Sequence, residues 1–295
     1  MKKLIVTGAN GQLGRELRRK AVPCVFDVIS LDLPDFDITD VSAVKDMVAK
    51  SGARLVVNAA AYTAVDRAES ESDLAYAVNC NGAANLAEAC SQANIPLIHI
   101  STDYVFDGTK GSAYAETDSI SPIGVYGKSK ADGEAEIRKI LPVHVILRTA
   151  WLYGIHGNNF VKTMLRLGQE REEIKVVNDQ FGCPTHAEDL AQAVLTIAER
   201  ILSGRHVAWG TWHYCGSGQT TWYEFAKKIF ELAGSRHPLK VRNLIPVTTK
   251  EYPTPARRPA YSVLDCTQIR KKFGIAPPPW EESLARMLDE LLTNI

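Results

Sequence analysis

The sequence lacks most features that would set it apart from ordinary globular enzymes. Its six cysteines (Cys24, Cys80, Cys90, Cys183, Cys215 and Cys266) are scattered and form no C-x-x-C pair. Buried reduced thiols are therefore expected, rather than a disulfide framework or a zinc site. No stretch approaches the roughly 20 apolar residues of a membrane span. The apolar run after the initial Met-Lys-Lys stops at Thr7 and Gly8, short of the roughly 7–15 residues of a signal-peptide core. There is no N-x-S/T acceptor, and the seven histidines show no H-E-x-x-H spacing. Neither sign of charge is in excess, with 34 Lys plus Arg against 34 Asp plus Glu, so nothing asks for nucleic acid or a membrane as partner. These absences point to a cytoplasmic protein.

What is present is 295 residues, 45% hydrophobic and 23% charged. That is enough for one large α/β domain, or a main domain with a smaller lobe. The first half alternates strand-like and helix-like segments. Strands are expected at 3–7, 27–32, 54–59, 97–101 and 143–148. Helices are expected at 12–21, 41–50, 73–92 and 128–140. Near-continuous apolar strands joined by helices fit a parallel sheet covered on both faces, and right-handed crossovers make it a Rossmann-type doubly wound α/β fold. Beyond about Thr149 the pattern changes. Helices are expected at 159–169, 189–203, 221–233 and 280–292, strands at 175–177 and 212–215, and a proline-rich loop at 252–259. Thr220 or Thr221 is the expected N-cap of the third of these helices. Residues 1–150 thus read as a dinucleotide-binding core. Residues 151–295 read mainly as a substrate-binding lobe, with some elements completing the core.

The first informative motif is G-x-x-G-x-x-G at Gly8, Gly11 and Gly14, directly after the first strand and opening the first helix. Glycines let the backbone turn tightly and approach a pyrophosphate, which the helix N-terminus then holds. Asp32 follows at the end of the second strand, at about the spacing of a carboxylate that bonds the adenosine ribose. A carboxylate there favours NADH. Arg15, Arg18 and Arg19 nearby keep NADPH open, although Arg18 and Arg19 also read as a solvated helix face. The small residues after Asn58 (Ala59, Ala60, Ala61) leave room for a cofactor across the strand ends. Gly127-Lys128-Ser129 looks like the end of a P-loop, but Pro122 stands where its first glycine is required, so that reading fails.

The second motif is Y-x-x-x-K at Tyr126 and Lys130. Residues four apart share a helix face, so an ammonium is expected beside the phenol. At roughly 4 Å and an effective dielectric near 20, the charge is worth up to about 4 kcal/mol. That is enough to bring a phenol from about 10 toward neutrality, where acid–base catalysis works best. Ser101-Thr102-Asp103 closes the fourth strand, on the side where open α/β sheets place ligands, and the Thr102 hydroxyl can donate to a substrate carbonyl.

Together these motifs resemble the extended short-chain dehydrogenase/reductase family. Longer stretches narrow the resemblance to the dTDP-4-dehydrorhamnose reductases over essentially the whole chain: TAVDRAE at 63–69, STDYVFDG at 101–108, NNF at 158–160, NDQFGCPT at 178–185 and YPTPARRP at 252–259. The resemblance implies reduction of the C4 keto group of dTDP-4-dehydro-L-rhamnose to dTDP-L-rhamnose with NADH or NADPH. By matched positions, Thr102, Tyr126 and Lys130 would be catalytic. Gly11, Gln12 and Leu13 would meet the pyrophosphate, Asp32, Asp37 and Ile38 the adenosine, and Ala61, Tyr62 and Thr63 the rest of the cofactor. Asp103 and Trp151, with Thr102, would meet the sugar or base, and Arg258 the substrate diphosphate, a salt bridge being the alternative for Arg258. Glu16 and Glu188 match carboxylates that hold Mg²⁺ at a dimer contact in the family, and a monomer or homodimer is implied.

Neighbouring readings are another sugar-nucleotide 4-keto reductase, an epimerase or dehydratase, and a non-catalytic regulatory subunit resembling the beta subunit of methionine adenosyltransferase. Tyr104 after Asp103 lacks the second carboxylate of the dehydratases.

Overall fold

The computed structural model describes residues 2–21, 26–234 and 238–293. The first half builds β1 (Lys2–Thr7), α1 (Gln12–Ala21), β2 (Phe26–Leu31), α2 (Val41–Lys50) and β3 (Val56–Asn58). Short helices α3 (Val65–Ala68) and α4 (Ser72–Tyr76) then lead through a π-helical turn, Ala77–Gly82, into α5 (Ala83–Ala93). They are followed by β4 (Leu97–Thr102), α6 (Val125–Ile140) and β5 (His144–Thr149). The second half adds β6 (Leu152–Tyr153), α7 (Phe160–Glu170), β7 (Glu173–Val177), β8 (Phe181–Gly182), β9 (Thr185–His186) and α8 (Ala187–Leu202). It ends with β10 (Gly210–His213), β11 (Thr220–Thr221), α9 (Trp222–Gly234), β12 (Asn243–Val247), α10 (Thr267–Phe273) and α11 (Trp280–Thr293).

Six strands pair in parallel in the order β10-β5-β4-β3-β1-β2, a Rossmann-like α/β sheet. The order reverses at β1, with β2 on one side and β3 on the other, so a crevice opens outside the carboxyl ends of β1 and β3. Alternate residues of the apolar strands feed two cores. Leu4, Val6 and Val57 pack against α1 and α8 on one face. Ile5, Val56 and Leu97 pack against α2 and α5 on the other. A separate aromatic-rich cluster joins α7, β7, α9 and α11, with Tyr153, Phe225 and Trp280 at its centre.

Several expectations shift in detail. The helix expected at 73–92 is interrupted by the π-helical turn. Within that turn Asn79 bonds the backbone of Tyr62 and the hydroxyl of Ser129. The turn thus ties the helix to the loop after β3, as such bulges do near functional sites. α6 begins at Val125, three residues before the expected start, which puts Tyr126 inside it. Thr221 is the cap of α9, accepting from the amide of Glu224 at 3.1 Å. β12 carries Pro246, a residue confined to edge positions of sheets, and pairs with β7 alone. The five described cysteines are free thiols, of which Cys90, Cys183 and Cys215 are buried, while Cys24 lies outside the described residues. Among the described residues no helix is long and apolar enough to cross a membrane.

Candidate active site

A cavity of about 810 Å³ lies over the carboxyl ends of β1, β3, β4 and β5. Its floor is the glycine loop. Gly8 has φ +70, and a Cβ there would stand 2.5 Å from the Ala60 nitrogen, so only glycine lets β1 and the end of β3 come together here. A Cβ at Gly14 would stand 2.2 Å from the Gly8 carbonyl oxygen. Gly14 therefore serves loop–helix packing and does not line the cavity, whereas Gly8, Gly11, Gln12 and Leu13 do. Helix α1 opens at Gln12, and its first-turn N–H groups have no intrahelical acceptors. A flat backbone floor at a helix N-terminus fits the pyrophosphate of a dinucleotide.

Asp32 lines the same cavity and pins the loop. Its carboxylate accepts from the amides of Asn10 at 2.7 Å and Leu33 at 2.8 Å. Asp37, Ile38, Ala61, Tyr62 and Thr63 complete this side of the wall.

The reacting end is where β4, β5 and α6 meet. Thr102, Asp103, Tyr126, Lys130 and Trp151 all line it. The Thr102 hydroxyl donates to Asp103 Oδ1 at 3.0 Å and accepts from the amide of Tyr104 at 3.2 Å. The ring of Tyr104 meets that of Tyr126 edge-on, centroids 5.5 Å apart.

The expected ammonium–phenol pair is not formed. Lys130 Nζ instead donates to the Ile100 carbonyl at 2.7 Å and stands 3.2 Å from Nε2 of His99. Burial pushes the Tyr126 phenol up to about 12 and brings Lys130 down to about 8. Two buried polar atoms here lack partners, Asp103 Oδ2 and Thr149 Oγ1, and both residues line the cavity. Burial raises Asp103 to about 6. Thr149 pairs in register with Thr102 across β5 and β4. Sequence reasoning missed Thr149, His99 and Trp222, which stacks on Trp151; each acquires its place only through a contact distant in sequence.

Besides Gly14, three expected residues stand outside the cavity lining. Arg258 is ion-paired with Asp66 at 2.9 Å. Glu16 and Glu188 gather around Arg19, at 2.8 and 3.4 Å, with Glu188 also paired to Lys20. A guanidinium already fills the position between the two carboxylates, so this donor set does not fit Mg²⁺. Among the described residues no group of three or more His, Cys, Asp or Glu side chains is placed to hold a metal ion.

The family described as "RmlD substrate binding domain" matches residues 1–293. A dTDP-4-dehydrorhamnose reductase from Aggregatibacter actinomycetemcomitans is 46% identical over 286 residues, covering 96% of this chain and 97% of the relative. The chain belongs to the dTDP-4-dehydrorhamnose reductase family. The crystal structure of a member from Clostridium acetobutylicum superposes with a TM-score of 0.92 at 43% identity, covering 98% of this chain and 99% of that one. A second reductase of the family, from Bacillus anthracis and solved in complex with NADP, has a TM-score of 0.91 at 42% identity over 98% of this chain and 99% of its own.

Proposed function

We propose that this chain is an NAD(P)H-dependent reductase of the C4 keto group of dTDP-4-dehydro-L-rhamnose, giving dTDP-L-rhamnose. The observation that carries the reading is the meeting of Thr102, Tyr126 and Lys130 in one cavity with the glycine floor. A bound nicotinamide supplies the hydride. Everything else falls to the chain. The Thr102 hydroxyl donates to the carbonyl oxygen, favouring the charge that grows on it in the transition state. Tyr126, a neutral phenol because burial raises it to about 12, gives its proton to that oxygen as the alcohol forms. Lys130 holds the cofactor ribose. The orphaned oxygens of Asp103 and Thr149 are satisfied by sugar or nicotinamide polar groups.

The second half contributes Trp151, Gly157, Asn158 and Trp222 to the cavity wall, which supports its role as the substrate-binding lobe, with Trp151 against the base or sugar. Arg258 acts here as an ion-pair partner that shapes the loop, and the proposal includes no metal. A reaction that draws on NAD(P)H and a nucleotide sugar belongs in the cytoplasm.

The test is oxidation of NADH and NADPH, followed separately, with dTDP-4-dehydro-L-rhamnose and with dTDP-4-dehydro-6-deoxyglucose as control. Stoichiometric oxidation with the first alone is expected. Turnover of neither, with capture of an adenosyltransferase subunit, would favour the regulatory reading instead.

A further inference from the structure

Behind Lys130 runs a hydrogen-bonded chain whose direction is fixed at one end by the backbone. The amide of Ala60 lies 3.0 Å from Oδ1 of Asn58. A backbone N–H can only donate, so this oxygen faces it and the side-chain amide of Asn58 has one orientation. The Thr7 hydroxyl donates to the same oxygen at 2.8 Å. The Asn58 Nδ2 group is thereby turned to Nδ1 of His99, 3.0 Å away, and Nδ1 must accept. Thr7, Asn58, His99 and Lys130 are each 1% exposed, so water does not compete.

Complete burial holds His99 well below its ordinary value, so the ring is neutral. A neutral imidazole that accepts at Nδ1 carries its hydrogen on Nε2. That hydrogen points at Lys130 Nζ, 3.2 Å distant. An ammonium has no lone pair to receive it. A neutral amine does, and can still donate to the Ile100 carbonyl at 2.7 Å.

We infer that His99 is a positioning residue for Lys130, presenting its Nζ as a neutral amine at the cavity edge until a ligand draws it away from the ring. The inference rests on the reductase reading only in making the cofactor that ligand. Glu134, on the same helix, favours the ammonium, but it is already bonded to Arg148, Arg138 and Ser101, and burial brings Lys130 down to about 8. The consequence is proton uptake. Above that pH, docking of the cofactor against Lys130 breaks the contact with His99, and the freed amine takes a proton from solvent. With Lys130 uncharged, nothing draws the proton from Tyr126 before the cofactor is in place.

The test needs no turnover. In protein labelled with ¹⁵N-histidine, the His99 signals are assigned by their loss in His99→Gln. The expected spectrum is the Nε2–H tautomer with unprotonated Nδ1 from pH 6 to 9. An Nδ1–H tautomer, or an imidazolium forming near pH 6.5, would overturn the inference. In Asn58→Asp a carboxylate accepts from Thr7, Ala60 and His99 alike, so the tautomer is expected to switch to Nδ1–H. A folded variant that stays Nε2–H contradicts the chain direction, and if the variant does not fold the wild-type spectrum decides alone. Calorimetry with NADPH at pH 9, in buffers of different ionisation enthalpy, is expected to give uptake approaching one proton per cofactor. That uptake should be much smaller in His99→Gln, whose amide oxygen accepts from an ammonium. No uptake in the wild type contradicts the inference. An Nε2–H spectrum without turnover of any keto sugar would keep the role of His99 and remove the reductase reading.

Discussion

The indoles of Trp151 and Trp222 lie face to face at the cavity rim, with ring centroids 3.5 Å apart and planes 8° from parallel. Trp151 holds φ +47, in the left-handed region that a bulky residue enters only when its surroundings compel it. Gly182 makes room on its edge, since a Cβ there would stand 2.4 Å from the indole. The stack joins the start of α9 to the loop after β5 at the cavity rim. Trp222→Ala is expected to remove the support for Trp151. KM for the sugar nucleotide should rise about 2–10-fold, matching the roughly 0.5–1.5 kcal/mol of an aromatic pair, with KM for NAD(P)H unchanged. Steady-state kinetics with each substrate varied in turn checks this, and an equal rise for both would place the stack outside substrate binding.

Gly14→Ala puts a methyl carbon 2.2 Å from the Gly8 carbonyl oxygen and 2.6 Å from Cα of Ala9. Both are backbone atoms that cannot swing aside. A loss of about 1–3 kcal/mol is expected, together with weaker NADPH binding as the cradle distorts. Urea unfolding and a fluorescence titration of the cofactor measure the two effects. Normal binding in a normally stable variant would contradict the packing role.

Much of this was legible in the sequence because it is local. The glycine spacing after an apolar strand specifies the cradle through backbone sterics alone. Tyr126 and Lys130 share α6 because helices repeat every 3.6 residues. What escaped depends on contacts between distant segments. His99 reads as an ordinary strand residue until β4 is set between β3 and β5, beside Asn58 and Lys130. Arg258 reads equally as a phosphate ligand or an ion-pair partner, and its partner Asp66 lies far away in the chain. The phenol–ammonium pair expected from the four-residue spacing gave way to Ile100 and His99, since spacing fixes the helix face and not the rotamer.

Glu134 and Arg148 form an ion pair at 2.7 Å, 0% and 3% exposed, directly behind Ser101. Glu134→Gln leaves the guanidinium short of its counter-charge in the core, at a cost of up to about 3–5 kcal/mol. Burial acts to raise the Glu134 pKa, and the bonds from Arg148, Ser101 and Arg138 more than offset it, so the folded value lies below the ordinary one. Its contribution is therefore present above the unfolded value of about 4.3 and lost as the pH falls through the folded value. Urea titrations of both proteins from pH 7 down to pH 3 and below test this. A cost in Glu134→Gln that did not shrink toward acid pH would contradict it.

Stability should also fall in mildly acid solution through the buried histidines. His213 is brought down to about 3 by burial first and by Arg148 second, and His99 also lies well below its ordinary value. Below about pH 6.5 the unfolded chain binds protons at these positions that the native state refuses. The sign is a loss of stability on acidification, about 1.4 kcal/mol per pH unit for each ring, or about 4 kcal/mol for the two at pH 5. Chemical denaturation at pH 8 and pH 5 measures it, and equal stability at the two would contradict the burial of neutral rings.

Tyr126→Phe removes the acid while keeping the ring that packs on Tyr104. Turnover should drop by at least about 10²-fold, with NADPH affinity nearly intact. The most direct measurement combines this variant with cofactor deuterated at the transferring position of the reduced nicotinamide ring. With dTDP-4-dehydro-L-rhamnose, the wild type should yield one equivalent of oxidised cofactor and a product carrying deuterium at C4 alone, and the variant almost none. Product formed without deuterium at C4, or formed as fast by the variant, would contradict hydride delivery to C4 with Tyr126 as the proton donor.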